Sequence, residues 1–185
     1  MSNKSSIIPG NLVTDRSHIM ISQALPDQSP AALLGRMLRL RGLSCATAES
    51  CTGGMIGAAI TAVTGSSEWY RGGVIAYSNE VKTALLQISP TVLSTCGAVS
   101  AETVSAMAAG AAELLHADCS VSVSGIAGPG GGSDDKPVGL VYFGTCLFGK
   151  TAAHRSRFPG DRAAVRCAAT KEALRLLIDL VETVV

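Results

Sequence analysis

After Ser29-Pro30, apolar residues recur at helical spacing at Leu33, Leu34, Met37, Leu38 and Leu40. This predicts a helix entered through a serine cap and a first-turn proline. Gly42 stops it, and residues 43–49 read as a buried strand. A second helix is predicted from Thr52 or Gly53 to about Val63, closed by Gly65-Ser66-Ser67. Residues 74–77 form a second strand, and Ser78-Asn79-Glu80 opens a short helix carrying Lys82. Ser89-Pro90 starts another short helix. Ser100, followed by Glu102 and Thr103, caps a long helix reaching about His116, whose Ala-rich stretch at 106–112 suits close packing against a sheet.

Residues 119–124 are small and β-branched, as a strand requires, and the loop 125–137 is rich in Gly, Pro and Asp. Strands at 139–148 and 151–157 are joined by Gly149-Lys150 as a hairpin turn, and Asp161 caps a last helix running to about Val181. Helices and strands alternate at first, and then two strands follow each other directly. That order predicts a three-layer α/β/α domain with a mixed sheet. The domain is expected over 29–185. Residues 1–28, with Pro9, Gly10 and Pro26, read as a partly mobile N-terminal extension with a short helix near 19–25. No internal repeat is visible.

Composition narrows the function classes. A chain of 185 residues suits one domain, and 47% hydrophobic with 4% aromatic residues means a core of Ala, Val, Leu and Ile. Charged residues make up 16%, below the usual quarter or so, and the net charge is +1. Without a basic stripe, nucleic acid and membrane surfaces lack electrostatic support as partners. No apolar run reaches the roughly 18 residues that span a bilayer, and the first residues lack a signal-peptide pattern. Six cysteines without a CxxC pair, and three scattered histidines, argue against a structural metal site. A chain this long folds on its core without disulfides, so the thiols are read as reduced, in a cytoplasmic protein.

Four segments could carry chemistry. Ala48-Glu49-Ser50-Cys51-Thr52-Gly53-Gly54 sits where a strand ends and a helix begins. A serine there could attack a carbonyl while unpaired helix N–H groups receive the oxyanion. A plain helix cap explains the serine alone. Gly-Gly in a first helical turn is costly, however, and points to close backbone approach by a ligand. Cys51 is a second candidate nucleophile, ranked below Ser50 because none of the motif segments holds a histidine to activate it. The second segment is Tyr77-Ser78-Asn79-Glu80-Val81-Lys82. A partly desolvated lysine at a helix start loses proton affinity and could serve as a base for serine, with Tyr77 holding it or relaying a proton; a solvated surface lysine is the bland alternative.

The third segment, 124–133, is denser in glycine than a turn needs and could cradle phosphate, or act as a mobile linker. It is neither a Walker A motif nor a dinucleotide fingerprint. In the fourth, Phe158-Pro159-Gly160-Asp161-Arg162, the Arg162 fork could clamp a phosphate or carboxylate, or pair with Asp161 or Glu172.

Together these segments resemble the C-terminal domain of the CinA family. The matching stretches are 47–54, 72–82, 97–100, 124–132, 136–139 and Gly160-Asp161-Arg162, within about residues 31–183. Stand-alone members are nicotinamide-nucleotide amidohydrolases, converting nicotinamide mononucleotide to nicotinate mononucleotide and ammonia. The resemblance implies Ser50 as nucleophile, Lys82 as base and Tyr77 as assistant. It implies that Ser124 and Arg162 line the pocket; Cys51, Thr52, Gly53, Gly54, Asn79 and Gly125, from the segments above, are the further substrate-binding candidates. It also implies no metal or organic cofactor, and association at least as a homodimer. The competing class is a non-catalytic nucleotide-binding module of a competence-related protein. Longer members carry a further N-terminal domain for which this chain is expected to be too short. Three departures stand out: Ser124 where many relatives have Thr, Pro159 in place of a common Ser, and the N-terminal extension.

Overall fold

A run of small and β-branched residues, covered on both faces, sets the middle of a five-stranded sheet. The computed structural model describes residues 27–184; the expected helix near 19–25 lies outside them. Helix α1 (Pro30–Arg41) starts as predicted, with the Ser29 hydroxyl accepting the Ala32 N–H at 3.2 Å, and ends on Gly42 in the left-handed region. Strand β1 (Cys45–Glu49) is buried along its whole length. Then follow α2 (Met55–Thr61), β2 (Tyr70–Ile75), α3 (Asn79–Leu86), α4 (Pro90–Thr95) and α5 (Ala101–Leu114). The chain continues through β3 (Cys119–Gly125), β4 (Leu140–Leu147), β5 (Lys150–Arg157) and α6 (Arg162–Glu182).

The sheet order is β2-β1-β3-β4-β5; β2–β1 and β1–β3 pair parallel, β3–β4 and β4–β5 pair antiparallel, so β4 alone runs against the rest. The mixed sheet is therefore as expected. On one face, Leu34, Leu38, Ile56, Ile60, Val165 and Leu177 of α1, α2 and α6 pack on Cys45, Val121, Val123, Val141 and Phe143. On the other, Leu86, Ile88, Met107 and Ala111 pack on Ala48, Val74 and Ala76. Two apolar layers on opposite faces make the α/β/α sandwich.

Alternate serines explain how α5 comes so close. Ser120, Ser122 and Ser124 point to one face of β3, and their hydroxyls donate to the carbonyls of Ala108 (2.6 Å), Val104 (2.6 Å) and Ala98 (2.7 Å). Gly144, beside Ser122 on β4, has no room for a Cβ against the Val104 carbonyl. The Ala-rich helix and the small-residue strand are thus two halves of one close contact.

The structure departs most from the sequence reading at β2, at the start of α2 and at the hairpin turn. Strand β2 starts at Tyr70 and ends at Ile75, because pairing with β1 carries Gly72 and Gly73 into the ladder despite their weak strand propensity. Helix α2 starts at Met55, because Gly53 and Gly54 take φ values of 60° and 99° and form a left-handed turn before it. The hairpin turn is Phe148-Gly149, both at positive φ as a tight two-residue hairpin requires, and Lys150 already belongs to β5. Among the described residues no helix is long and apolar enough to cross a membrane.

Candidate active site

Strand order places a crevice. From β1 the chain passes to β2 on one side, and it later returns to β3 on the other. Connections diverging in this way leave an opening beyond the carboxyl ends of β1 and β3, where ligands of open α/β sheets bind. Ser50 is the first residue past β1, and its N–H donates to the Val123 carbonyl of β3 at 3.0 Å.

Glu49 holds the turn that follows. Its Oε2 accepts the Thr52 hydroxyl at 2.7 Å and the N–H groups of Gly54 and Ile56 at 3.0 and 3.1 Å. Its Oε1 accepts the Gly57 N–H at 2.8 Å. The carboxylate is buried, and its charge is met by four donors at the positive end of α2. This corrects one expectation: those α2 amides are occupied by the chain's own carboxylate and do not face a ligand. Gly53 N–H is also used, donating to the Ser50 carbonyl at 3.2 Å. The Cys51 and Thr52 N–H groups donate to no oxygen among the described residues. Glu49→Ala leaves the amides at 54, 56 and 57 without their acceptor, and a loss on the order of 4 kcal/mol is expected. Glu49→Gln, which turns one acceptor into a donor facing N–H groups, loses about 2 kcal/mol. Urea midpoints at unchanged m-value measure both.

Lys82 reaches Ser50 from the neighbouring strand end. The Ser78 hydroxyl caps α3 by accepting the Val81 N–H at 3.3 Å, which turns Lys82 inward to 1% exposure. Lys82 Nζ lies 2.8 Å from the Ala76 carbonyl, 3.2 Å from the Tyr77 carbonyl and 3.3 Å from Ser50 Oγ. Burial lowers its pKa from the ordinary lysine value, against weaker opposing influences of Cys51 and Glu80. A neutral amine has two N–H donors and one lone pair. As an ammonium Lys82 donates to all three oxygens; once it is deprotonated, the two carbonyls retain both N–H donors and the lone pair faces the Ser50 hydroxyl. Cys51 goes the other way: burial pushes its thiol up to about 11, so it stays protonated at neutral pH.

The remaining candidates separate into two groups. Tyr77 is 62% exposed at the lip of the crevice, and its hydroxyl accepts from Arg162 Nη2 at 3.4 Å. Arg162 Nη1 donates to the Gly128 carbonyl at 3.1 Å, so one guanidinium joins the β2–α3 corner to the glycine loop. Neither suggested ion pair of Arg162 forms, since Asp161 caps α6 through the Ala164 N–H and Glu172 pairs with Arg175. A cavity of about 580 Å³ opens beside Arg162, lined by Ala127, Gly128, Pro129, Val138 and Gly160. Ser124 and Gly125 lie at the end of β3, but the Ser124 hydroxyl is buried and given to Ala98. Asn79 is exposed and lines a different groove, between α3 and α4.

Sequence reading passed over three groups. Glu49 lies in the Ser50 segment, and its role as acceptor for the turn follows only from the fold. Arg166 Nε and Nη2 donate to the carbonyls of Cys51 (3.0 Å) and Thr52 (2.8 Å). Its signal was its position four residues after Arg162, on the same face of α6. Lys136 Nζ donates to the Cys96 carbonyl at 3.0 Å and ties the glycine loop to the end of α4. Among the described residues no group of three His, Cys, Asp or Glu side chains is placed to hold a metal ion.

The fold and its strand-end crevice define a mixed-sheet α/β/α domain with a serine and a buried lysine at adjoining strand ends. The profile of the CinA C-terminal domain matches residues 27–181, and the chain belongs to that family. A CinA-like protein of Geobacter sp. is 51% identical over 144 residues, covering 78% of this chain and 35% of that protein. The chain thus spans about a third of the length of such relatives. The nicotinamide-nucleotide amidohydrolase PncC of Escherichia coli K12 is 46% identical over 145 residues, covering 78% of this chain and 88% of that protein. The crystal structure of the competence damage-inducible protein A from Klebsiella pneumoniae superposes with a TM-score of 0.81 at 37% identity, covering 84% of this chain and 97% of that one.

Proposed function

We propose that this chain is an amidohydrolase that converts nicotinamide mononucleotide to nicotinate mononucleotide and ammonia, with Ser50 as nucleophile and Lys82 as base. The observation that carries it is the Lys82 amine, buried, with two carbonyls on its donors and Ser50 Oγ 3.3 Å from its remaining valence. The E. coli relative bearing the amidohydrolase name supports the substrate class.

The reaction is acyl transfer. Lys82 takes the Ser50 proton as Oγ bonds to the carboxamide carbon, and the oxyanion faces the Cys51 and Thr52 N–H groups. The intermediate collapses, the C–N bond breaks, and Lys82 returns the proton to the leaving ammonia. Lys82 then takes a proton from water, whose hydroxide opens the acyl-serine, and gives it back to Ser50 Oγ. Net, one amide and one water become a carboxylate and an ammonium. Arg162 and Tyr77, at the crevice lip beside the cavity, orient the nucleotide. On the family resemblance the active form is a cytoplasmic homodimer, and no cofactor takes part.

Incubation of the purified chain with nicotinamide mononucleotide is expected to release ammonia and nicotinate mononucleotide in equal amounts. Saturable binding with no ammonia would instead favour a nucleotide-binding module. A buried lysine beside a hydroxyl gives a pure binder little, which is why hydrolysis is the preferred reading.

A further inference from the structure

The turn bearing Ser50 is gripped from two sides by opposite charges, and one of those grips comes from a distant helix. Arg166, half-buried on α6, places Nε and Nη2 on the adjacent carbonyls of Cys51 and Thr52 at 3.0 and 2.8 Å. In a trans peptide the C=O and N–H point in opposite directions. Holding the Cys51 carbonyl toward α6 therefore aims the Thr52 N–H away from α6. Holding the Thr52 carbonyl aims the Gly53 N–H, which closes the turn on the Ser50 carbonyl at 3.2 Å. Below, the Glu49 carboxylate takes the amides of Gly54, Ile56 and Gly57. The two charges leave the Cys51 and Thr52 N–H groups as the amides of this turn without an oxygen acceptor among the described residues.

We propose that Arg166 is a positioning residue for the amide hydrolysis, holding from α6 the Cys51–Thr52 peptide, whose Thr52 N–H receives the oxyanion, and the Thr52–Gly53 peptide, whose Gly53 N–H closes the turn. The inference rests on the amidohydrolase reading. Arg166 does not touch the substrate; it acts through the backbone. A cation on the carbonyl side of a peptide also polarises the N–H on the other side, making it a stronger donor. A plain staple between α6 and α2 would need neither two adjacent carbonyls nor this place in the turn, since Val165 and Ala169 already join Ile56 and Ile60 in one apolar core.

Arg166→Met and Arg166→Lys, assayed with nicotinamide mononucleotide in the full chain, test this. Removing one oxyanion donor in a hydrolase lowers kcat by roughly 10²–10³-fold. Arg166→Met is expected to lower kcat by about 100-fold with KM changed less than about twofold. The midpoint of the pH–rate limb stays where it is, because Lys82 is untouched. Arg166→Lys, with one bond in place of two, recovers part of the rate. The aldehyde analogue of the substrate, which adds Ser50 to give a tetrahedral adduct, should bind Arg166→Met about as much more weakly as kcat falls, while nicotinate mononucleotide binds as before. A folded Arg166→Met with parental kcat overturns the proposal, and so does a fall seen only in KM. If Arg166→Met does not fold, parental kcat in Arg166→Lys overturns it equally. A parental chain that releases no ammonia overturns the amidohydrolase reading and this inference together. An active parent with an indifferent Arg166 overturns this inference alone.

Discussion

Ser50→Ala is expected to abolish ammonia release, by about 10⁵-fold, while the protein stays folded. The size follows from chemistry: without the hydroxyl no acyl-serine forms, and what remains is binding and oxyanion stabilisation around an unassisted water. The neighbouring thiol cannot substitute, because burial pushes Cys51 up to about 11 and keeps it protonated. The fold survives because the bonds that shape the turn belong to the Ser50 main chain: its N–H on the Val123 carbonyl and its carbonyl under the Gly53 N–H. The lost contact is the one with Lys82 Nζ, so stability should change by no more than about 1 kcal/mol. Ammonia assays and urea unfolding on the same preparation measure both. Ammonia release at the parental rate would remove Ser50 as nucleophile.

Lys82→Met is expected to cost on the order of 10³-fold in kcat, and to erase a pH dependence. The base must be neutral to accept the Ser50 proton. Burial lowers its pKa from the ordinary lysine value, so kcat should rise with pH through a single ionisation whose midpoint lies below that of a free lysine. In Lys82→Met that limb disappears. Stability should carry the same signature. Between the lowered pKa and the ordinary one, the unfolded chain holds a proton that the folded chain lacks, so stability rises with pH across that window. Below the window both states are charged, and the folded state bears the full desolvation penalty. Lys82→Met flattens the rise, at the cost of leaving the Ala76 and Tyr77 carbonyls without their donor. A kcat limb that persists in Lys82→Met would assign the base to another group.

Much of this was visible in residue order. The Ser29-Pro30, Ser78, Ser100 and Asp161 caps all work as caps in the structure, because capping is decided within three residues of chain. The close approach of α5 was readable from its alanines. Errors fell where local preference met pairing. Gly72 and Gly73 look like loop until β1 hydrogen-bonds them. Gly53 and Gly54 were placed inside a helix when their positive φ keeps them before it.

For the site, the chemical cast was legible and its arrangement was not. Ser50 and Lys82 are 32 residues apart, and it is the parallel pairing of β1 with β2 that brings their ends together. Glu49 could be seen as a buried acid, but its four donors lie on the next eight residues only once the chain has turned back on itself. Arg166 reaches the Cys51 carbonyl across 115 positions.

Residue order by itself determined the elements, their capped starts, the layered class and the family, since periodicity, caps and motif spacing are properties of neighbouring residues. Tertiary structure alone decided which amides lack an oxygen acceptor, which carbonyls are held, and that the Cys51 thiol holds its proton more tightly while the Lys82 amine holds its proton less tightly. Those depend on burial and on angles between groups distant in the chain, and both arise only when strands pair and helices pack.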